Sequence, residues 1–342
     1  MDESGASHAA LARAGCEVTV ADPEAPRPRL AELARGADAL LGATFRGIID
    51  REFLEISPRL RIVAKYTIGV DDVALDAATA LGVLVTHCPT EANWGGVAEG
   101  AIGLMLALLK RIRERDRHVK AGGWRDSPVY GSYLGMRGDG YAGLTIGVVG
   151  LGRAGGRVAE LLAPWRVRLL AADPYVDAAK FARCGAERVD LDMLLRESDV
   201  VTLHCNLTPE TRGLIDRRRL DLMKRTAVLI NTARGVVVDV EALCDALEAG
   251  RLHAAALDVL PEEPPARNAR VLGLGDRILL SPHMIAANQG GTLGAAIPWA
   301  TAAVVAALRG EVPDSVYNGG AVAGWRARFA GRSLLPSLPE GA

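Results

Sequence analysis

Neither sign of charge dominates this chain. Its 40 Lys and Arg face 41 Asp and Glu, so no net field steers it toward nucleic acid or a membrane surface. The five cysteines (Cys16, Cys88, Cys184, Cys205 and Cys244) are scattered, with no C-x-x-C pair. That excludes a zinc ribbon or a disulfide framework, and they read as small core hydrophobes in a reducing compartment, with no metal expected. No apolar leader follows the acidic start, so the expectation is a cytoplasmic protein. Repeats of solenoid length are absent. A membrane span is also unconvincing. Asn288–Leu308 is uncharged and of spanning length, but it is mostly Ala, Gly and Thr, with Pro298 and Trp299 midway. Such side chains gain little from lipid and pack closely on other helices, so the segment reads as a buried helix. At 342 residues the chain is long enough for about two domains.

One segment carries a specific signal. The apolar run Thr145–Val149 feeds into Gly150-Leu-Gly-Arg-Ala-Gly155, a G-x-G-x-x-G. A helix pattern over Gly156–Leu162 follows, then the apolar run Val167–Ala172, which closes on Asp173. Gly150 permits the tight turn, Gly152 lets the backbone approach a pyrophosphate, and Gly155 lets helix and strand pack closely. N–H groups at the helix start, around Arg153 and Ala154, would face phosphate oxygens. Asp173 stands 173 − 155 = 18 residues past Gly155, where a carboxylate accepts ribose hydroxyls and repels the extra phosphate of NADP. The expected cofactor is NAD.

The alternation continues beyond it. Strands fit Val200–His204, Ala227–Asn231, Ala255–Val259 and Ile278–Leu280, with helices over Asp190–Glu197, Arg217–Leu222 and Val240–Ala249. Such an order implies a parallel, doubly wound α/β sheet with ligands beyond the carboxyl ends of its strands. Before it, short strands fit Val18–Val20, Ala39–Leu41, Ile62–Ala64 and Val83–Thr86, a second and smaller α/β unit. A long helix is expected from about Val97 to Lys120, apolar in its first half and mixed in charge in its second, a solvated face.

Three polar residues fall at or just past successive strand ends: Arg234 in Asn231-Thr-Ala-Arg-Gly235, Glu263 in Asp258-Val-Leu-Pro-Glu-Glu-Pro264, and His283 in Ser281-Pro-His283. A guanidinium grips a carboxylate and a reacting oxygen. An imidazole takes or gives a hydroxyl proton. A carboxylate behind the imidazole fixes its tautomer and keeps a proton available for ketone reduction. Each alone has a plain structural reading, as a cap, a surface acid or a loop histidine. The three together at the ends of one nucleotide fold point to hydride transfer.

With these motifs in place, the chain resembles the D-isomer-specific 2-hydroxyacid dehydrogenases, the group that includes phosphoglycerate dehydrogenase. The matching elements are Gly150–Gly155, Asp199–Ile215, Asn231–Gly235, Asp258–Pro264, Ser281–His283 and Asn93-Trp-Gly-Gly-Val-Ala-Glu99. The spacings 263 − 234 = 29 and 283 − 263 = 20 agree with the family. The resemblance implies a Rossmann NAD-binding domain inserted into a smaller flavodoxin-like substrate domain. Residues 92–286 would form the first, residues 1–91 with 287–318 the second, and residues 319–342 a tail.

By the same resemblance Arg234 binds the substrate carboxylate, His283 is the acid/base, and Glu263 is its partner. Asp258 with the backbone of Thr232 and Ala233 holds the nicotinamide amide. Cys205, Asn206 and Thr211 join Arg234 and His283 in lining the cofactor. The loop Tyr66-Thr-Ile-Gly-Val70 offers N–H groups around Ile68 and Gly69 to the carboxylate. A homodimer is implied too, with the uncharged stretches Ala101–Leu109 and Ala295–Leu308 as candidate buried surface.

The departures bear on the substrate. Met284–Asn288 replaces the family's Gly-rich turn, Trp94 and Gly96 stand in a cleft-lining segment, and Cys205-Asn206 replaces a pair usually ending in Pro. Ile68 stands where phosphite-oxidising members carry Lys. In the loop Gly42–Gly47, Arg46 would pair a distal phosphate or carboxylate, or stand solvated. An NADH-sensing binding protein, like the family's corepressors, is the competing reading, because those proteins keep the same three residues. Lastly, the family opens with a strand before the helix that here begins by about Ser7. This chain is expected to lack that strand and to have a translation start upstream of Met1. Neighbours without the strand would leave backbone groups unpaired, at roughly 1–3 kcal/mol each if buried.

Overall fold

A computed structural model describes residues 5–22, 25–43, 49–126, 129–288 and 292–336. The chain divides into two compact units, residues 1–93 with 288–342, and residues 94–287.

In the first unit three parallel strands, β1 (Ala39–Gly42), β2 (Ile62–Lys65) and β3 (Leu84–Thr86), lie in the order β1-β2-β3. Period-two alternation sends their side chains to two separate cores. Val63, Val83 and Val85 point into a cluster with Phe53, Leu54 and Ala78. Ile62, Ala64 and Leu84 point into another, with Leu11, Val304, Ala307 and Trp325. A parallel sheet covered on both faces needs largely apolar strands, and here only Lys65 and Thr86, at the strand ends, are polar.

Two expectations for this unit are corrected. Val18–Val20 joins no ladder among the described residues, and Val20 is 65% exposed; an extended run without a hydrogen-bonded neighbour is not a strand. Residues 319–336 are no tail. They form the 3₁₀ turn Gly319–Ala321 and the helix Val322–Phe329. Trp325, fully buried, donates its indole N–H to the Arg61 carbonyl at 3.0 Å.

The second unit is a seven-stranded parallel sheet. Its strands are β4 (Thr145–Val149), β5 (Arg168–Ala172), β6 (Glu187–Arg188), β7 (Val200–Leu203), β8 (Val228–Asn231), β9 (Ala254–Leu257) and β10 (Ile278–Leu280), ordered β10-β9-β8-β7-β4-β5-β6. Alternation again builds two cores: Val201, Leu203, Leu229 and Leu257 on one face, Ile146, Val148, Ile230 and Ala256 on the other. This is the doubly wound fold expected, with its switch point between β4 and β7. Asp177, Asp190, Asp216 and Asp239 each cap the helix that follows by accepting the N–H three residues on, worth about 1 kcal/mol apiece.

The single helix expected over 97–120 is two. Glu91–Leu109 ends where its apolar sequence ends, Arg111 takes a left-handed φ of 52°, and Ile112–Lys120 continues with no buried residue. The first of these is long and apolar enough to cross a membrane by length and composition. Its Ala98, Ala101, Met105 and Leu108 are spent in the core of the second unit, against β4 and its neighbours.

Candidate active site

The glycine-rich turn is built as the sequence requires. Gly150 has φ 88°, and a Cβ there would meet the Cys205 backbone nitrogen at 2.7 Å. A Cβ on Gly155 would fall 2.0 Å from the Gly150 carbonyl oxygen, so only glycine lets the helix Arg153–Leu162 start this close to β4. Gly152 differs: a Cβ there would meet nothing within 4 Å. Its glycine therefore leaves open room in front of the helix start, where N–H groups around Arg153 and Ala154 present partial positive charge to an anion. Asp173 is held beside this turn. Its Oδ2 accepts the Leu151 N–H at 2.8 Å and its Oδ1 the Tyr175 N–H at 2.9 Å. Each oxygen keeps a second lone pair. An open cradle at a helix start beside a fixed carboxylate fits a dinucleotide.

Across the switch point, the segment after β7 folds on Thr211, whose hydroxyl donates to the Asn206 carbonyl at 2.7 Å and accepts the Thr208 N–H at 2.8 Å. Burial pushes the Cys205 thiol up to about 11, so it stays a neutral thiol. Sequence reasoning passed over His204. Its Nε2 lies 2.9 Å from the Thr202 hydroxyl and its Nδ1 3.5 Å from that of Thr232, and burial pushes it down to about 4. The ring is a neutral brace beneath the loop that carries Arg234.

That loop is shaped by Asn231, fully buried at the end of β8. Its Oδ1 accepts the Ala233 N–H at 3.0 Å, and its Nδ2 donates to the Arg234 carbonyl at 2.9 Å. The Ala233 N–H is thereby used inside the turn. Arg234 donates from Nη1 to the Ala233 carbonyl at 2.7 Å. Gly235 then presses on the next loop: a Cβ there would sit 1.9 Å from the Leu260 carbonyl carbon. The turn bearing Arg234 and the loop bearing Glu263 are thus packed together by one glycine.

Glu263 and His283 are brought together as a pair. Glu263 Oε1 accepts the Leu260 N–H at 2.9 Å, which leaves Oε2 to meet His283 Nδ1 at 2.7 Å. A carboxylate accepts, so Nδ1 carries the proton and Nε2 is the nitrogen turned to other partners. His283 sits at φ 53°, a left-handed conformation rare for a residue with a side chain. Such strain persists only where surrounding contacts fix it. Here the His283 N–H donates to the Asp258 carbonyl at 2.8 Å. The buried Asp258 carboxylate takes the Ser281 hydroxyl at 2.6 Å and the Met284 N–H at 3.1 Å on Oδ1, and the Ile285 N–H at 3.4 Å on Oδ2. Met284–Asn288, the departure noted in the sequence, is therefore anchored by Asp258. Ile285 fills the notch left at Gly100, where a Cβ would lie 2.2 Å from its Cγ1. The pair borders a pocket of about 400 Å³, lined also by Leu260, Leu272, Leu280 and Pro264.

Residues 102–285 match the family model described as D-isomer specific 2-hydroxyacid dehydrogenase, NAD binding domain. The chain belongs to this family. It is 39% identical over 316 residues to a glyoxylate reductase of Thermofilum pendens, covering 89% of this chain and 88% of that one. A D-3-phosphoglycerate dehydrogenase of Mycobacterium bovis is 38% identical over 314 residues, 91% of this chain, but the match spans only 57% of that protein's length. Among solved structures, a D-lactate dehydrogenase of Aquifex aeolicus, in complex with NAD and lactic acid, superposes with a TM-score of 0.78 at 27% identity. That match covers 90% of this chain and 93% of the other.

Of the remaining expected residues, Ile68 and Gly69 lie in the loop after β2, in the first unit. Arg46, with Thr44, falls outside the described residues.

Proposed function

We propose that this protein is an NAD-dependent oxidoreductase interconverting a D-2-hydroxy acid and its 2-keto acid. The observation that carries the reading is the 2.7 Å contact between His283 Nδ1 and Glu263 Oε2, set on the Asp258 anchor at the carboxyl ends of β9 and β10. In the reducing direction Nε2 of His283 gives its proton to the carbonyl oxygen, and Glu263 steadies the imidazolium until then. Arg234 holds the substrate carboxylate and the reacting oxygen, and the Ile68 and Gly69 N–H groups offer donors to a carboxylate. NADH, when bound, supplies the hydride. Gly150, Gly152, Arg153, Ala154 and Gly155 face its pyrophosphate and Asp173 its adenosine ribose, while Cys205, Asn206, Thr211, Thr232 and Asp258 line the rest. Asp258 Oδ2 has only one long contact among the described residues, room for an amide N–H. In this reading residues 1–93 with 288–336 are the substrate domain and residues 94–287 the cofactor domain. NAD is preferred to NADP because Asp173 puts negative charge at the ribose.

A homodimer belongs to the same reading. Most of Ala101–Leu109 is buried in its own unit's core, whereas Ala295–Leu308 buries Ala296, Ala300, Ala303, Val304, Ala307 and Leu308 and leaves Trp299 46% exposed. A run of exposed apolar side chains also lies between residues 112 and 136, where Ile112, Val119, Trp124, Tyr130, Tyr133 and Met136 are 44–71% exposed. Large apolar side chains exposed together in one segment mark an interaction surface. The test of the activity is NADH consumption with a panel of 2-keto acids, including glyoxylate, pyruvate and hydroxypyruvate. Turnover with at least one is expected; none with any would overturn the reading.

A further inference from the structure

The loop Thr67–Val70 is held in a way that bears on anion binding. The Cys88 N–H donates to the Thr67 carbonyl at 3.0 Å, and His87 Nδ1 lies 3.3 Å from the Ile68 carbonyl. Both carbonyls are thereby turned onto one short segment, the end of β3. In a trans peptide the C=O and the following N–H point in opposite directions, and the peptides here are trans. The Ile68 and Gly69 N–H groups are consequently turned away from residues 87 and 88, side by side and facing outward. The next carbonyl, of Gly69, is held within the loop by the Thr67 hydroxyl at 2.7 Å. Successive N–H groups fixed in this manner form an anion-binding concavity.

Of these ties, only that of His87 depends on a side chain reaching in from outside the loop. A carbonyl accepts and never donates, so the contact requires the proton on Nδ1. The ring is set for it. The His87 N–H donates to the Ser315 carbonyl at 3.3 Å, Thr86 bridges to Val316, and the imidazole packs edge-on against Tyr317 with centroids 5.2 Å apart. Below the loop, Lys65, 1% exposed, bonds both carboxylate oxygens of Asp72, so the two ends of the loop are pinned as well. With the ends pinned, the orientation of the Ile68–Gly69 peptide is the freedom that remains, and His87 removes it.

We propose that His87 is a positioning residue for substrate carboxylate binding, holding the Ile68 carbonyl so that the Gly69 N–H faces the anion. The inference rests on the proposed assignment of this loop to the carboxylate. Its loss removes binding common to ground and transition states, which raises KM and leaves kcat. His87→Phe keeps a ring against Tyr317 and removes the donor, His87→Leu is a second donor-free variant, and His87→Asn restores a side-chain N–H. The measurements are KM and kcat for glyoxylate, the inhibition constant of oxamate, the Kd of NADH and the melting temperature.

Both donor-free variants are expected to raise KM and the oxamate constant roughly 5- to 20-fold. Their kcat, NADH affinity and melting temperature stay near wild type, and His87→Asn recovers most of the loss. An unchanged KM in the donor-free variants overturns the role. So does an Asn variant as impaired as the Phe variant, since shape rather than the donor would then matter. Unfolding of both donor-free variants assigns the ring to stability and overturns it likewise. A wild type that reduces no 2-keto acid defeats the carboxylate-site reading itself, a failure distinguishable from the other three.

Discussion

At the residue scale, the proposed reading gives the proton to His283 and the cofactor to other groups, and this separation can be measured. His283→Ala is expected to lower keto-acid reduction by about 10²–10⁴-fold with NADH affinity preserved, as titrated by NADH fluorescence. Wild-type turnover in that variant would remove His283 from the reaction. Glu263→Gln takes away the anion that fixes the imidazole, so kcat/KM for reduction should fall with NADH affinity kept; an unchanged kcat/KM would dissolve the pair. His204 makes a different prediction, about stability. Burial lowers its pKa from 6.5 to about 4, so the unfolded chain takes up this proton as pH falls through 6.5 while the folded protein refuses it until about 4. The contribution is intact above 6.5 and is lost across that window, on the order of 2–3 kcal/mol. Melting temperatures should fall over the same range, and His204→Gln should flatten that part of the curve. A variant that tracks the wild type throughout would show that His204 is not the group responsible.

At the scale of elements, the proposed reading places cofactor choice in the turn from β4 into its helix. Asp173, tied to the Leu151 and Tyr175 N–H groups, holds a fixed negative charge, and Asp173→Ala should narrow the ratio of kcat/KM for NADH over NADPH. Equal ratios for wild type and variant would place the discrimination elsewhere. This turn was legible in the sequence because each glycine answers a separate steric demand. The buried strands β2 to β5 and β7 to β10 were legible because a parallel sheet covered on both faces needs continuous apolar runs. Other elements were hidden for identifiable reasons. The helix break at Arg111 has no Pro or Gly to mark it; it follows from where the apolar core ends. Val322, Trp325 and Phe329 share a helical face, but Gly324, Arg326 and Arg328 interrupt it, which disguised the helix as a tail. Val18–Val20 has strand composition and no ladder partner among the described residues, a fact that local sequence does not record. At the site, Arg234, Glu263 and His283 stood out by residue type at strand ends. His204 and His87 did not, because they act on backbone and neighbouring side chains through contacts that only the fold creates.

For the whole molecule, the proposed homodimer is tested by its mass. Light scattering at micromolar concentration should give twice the 36.1 kDa chain mass, and replacing Trp124 and Tyr130 by Ser should shift it toward the monomer. A monomeric wild type would contradict the assignment of that surface. The central claim, D-specific reduction through the His283–Glu263 pair, is tested most directly by one comparison. Wild type and His283→Ala are supplied with NADH and the best 2-keto acid of the panel, and the product is resolved on a chiral column. The account predicts the D-2-hydroxy acid from wild type in step with NADH consumed, and almost none from the variant at equal NADH binding. An L product, or D product formed equally fast by His283→Ala, would contradict it.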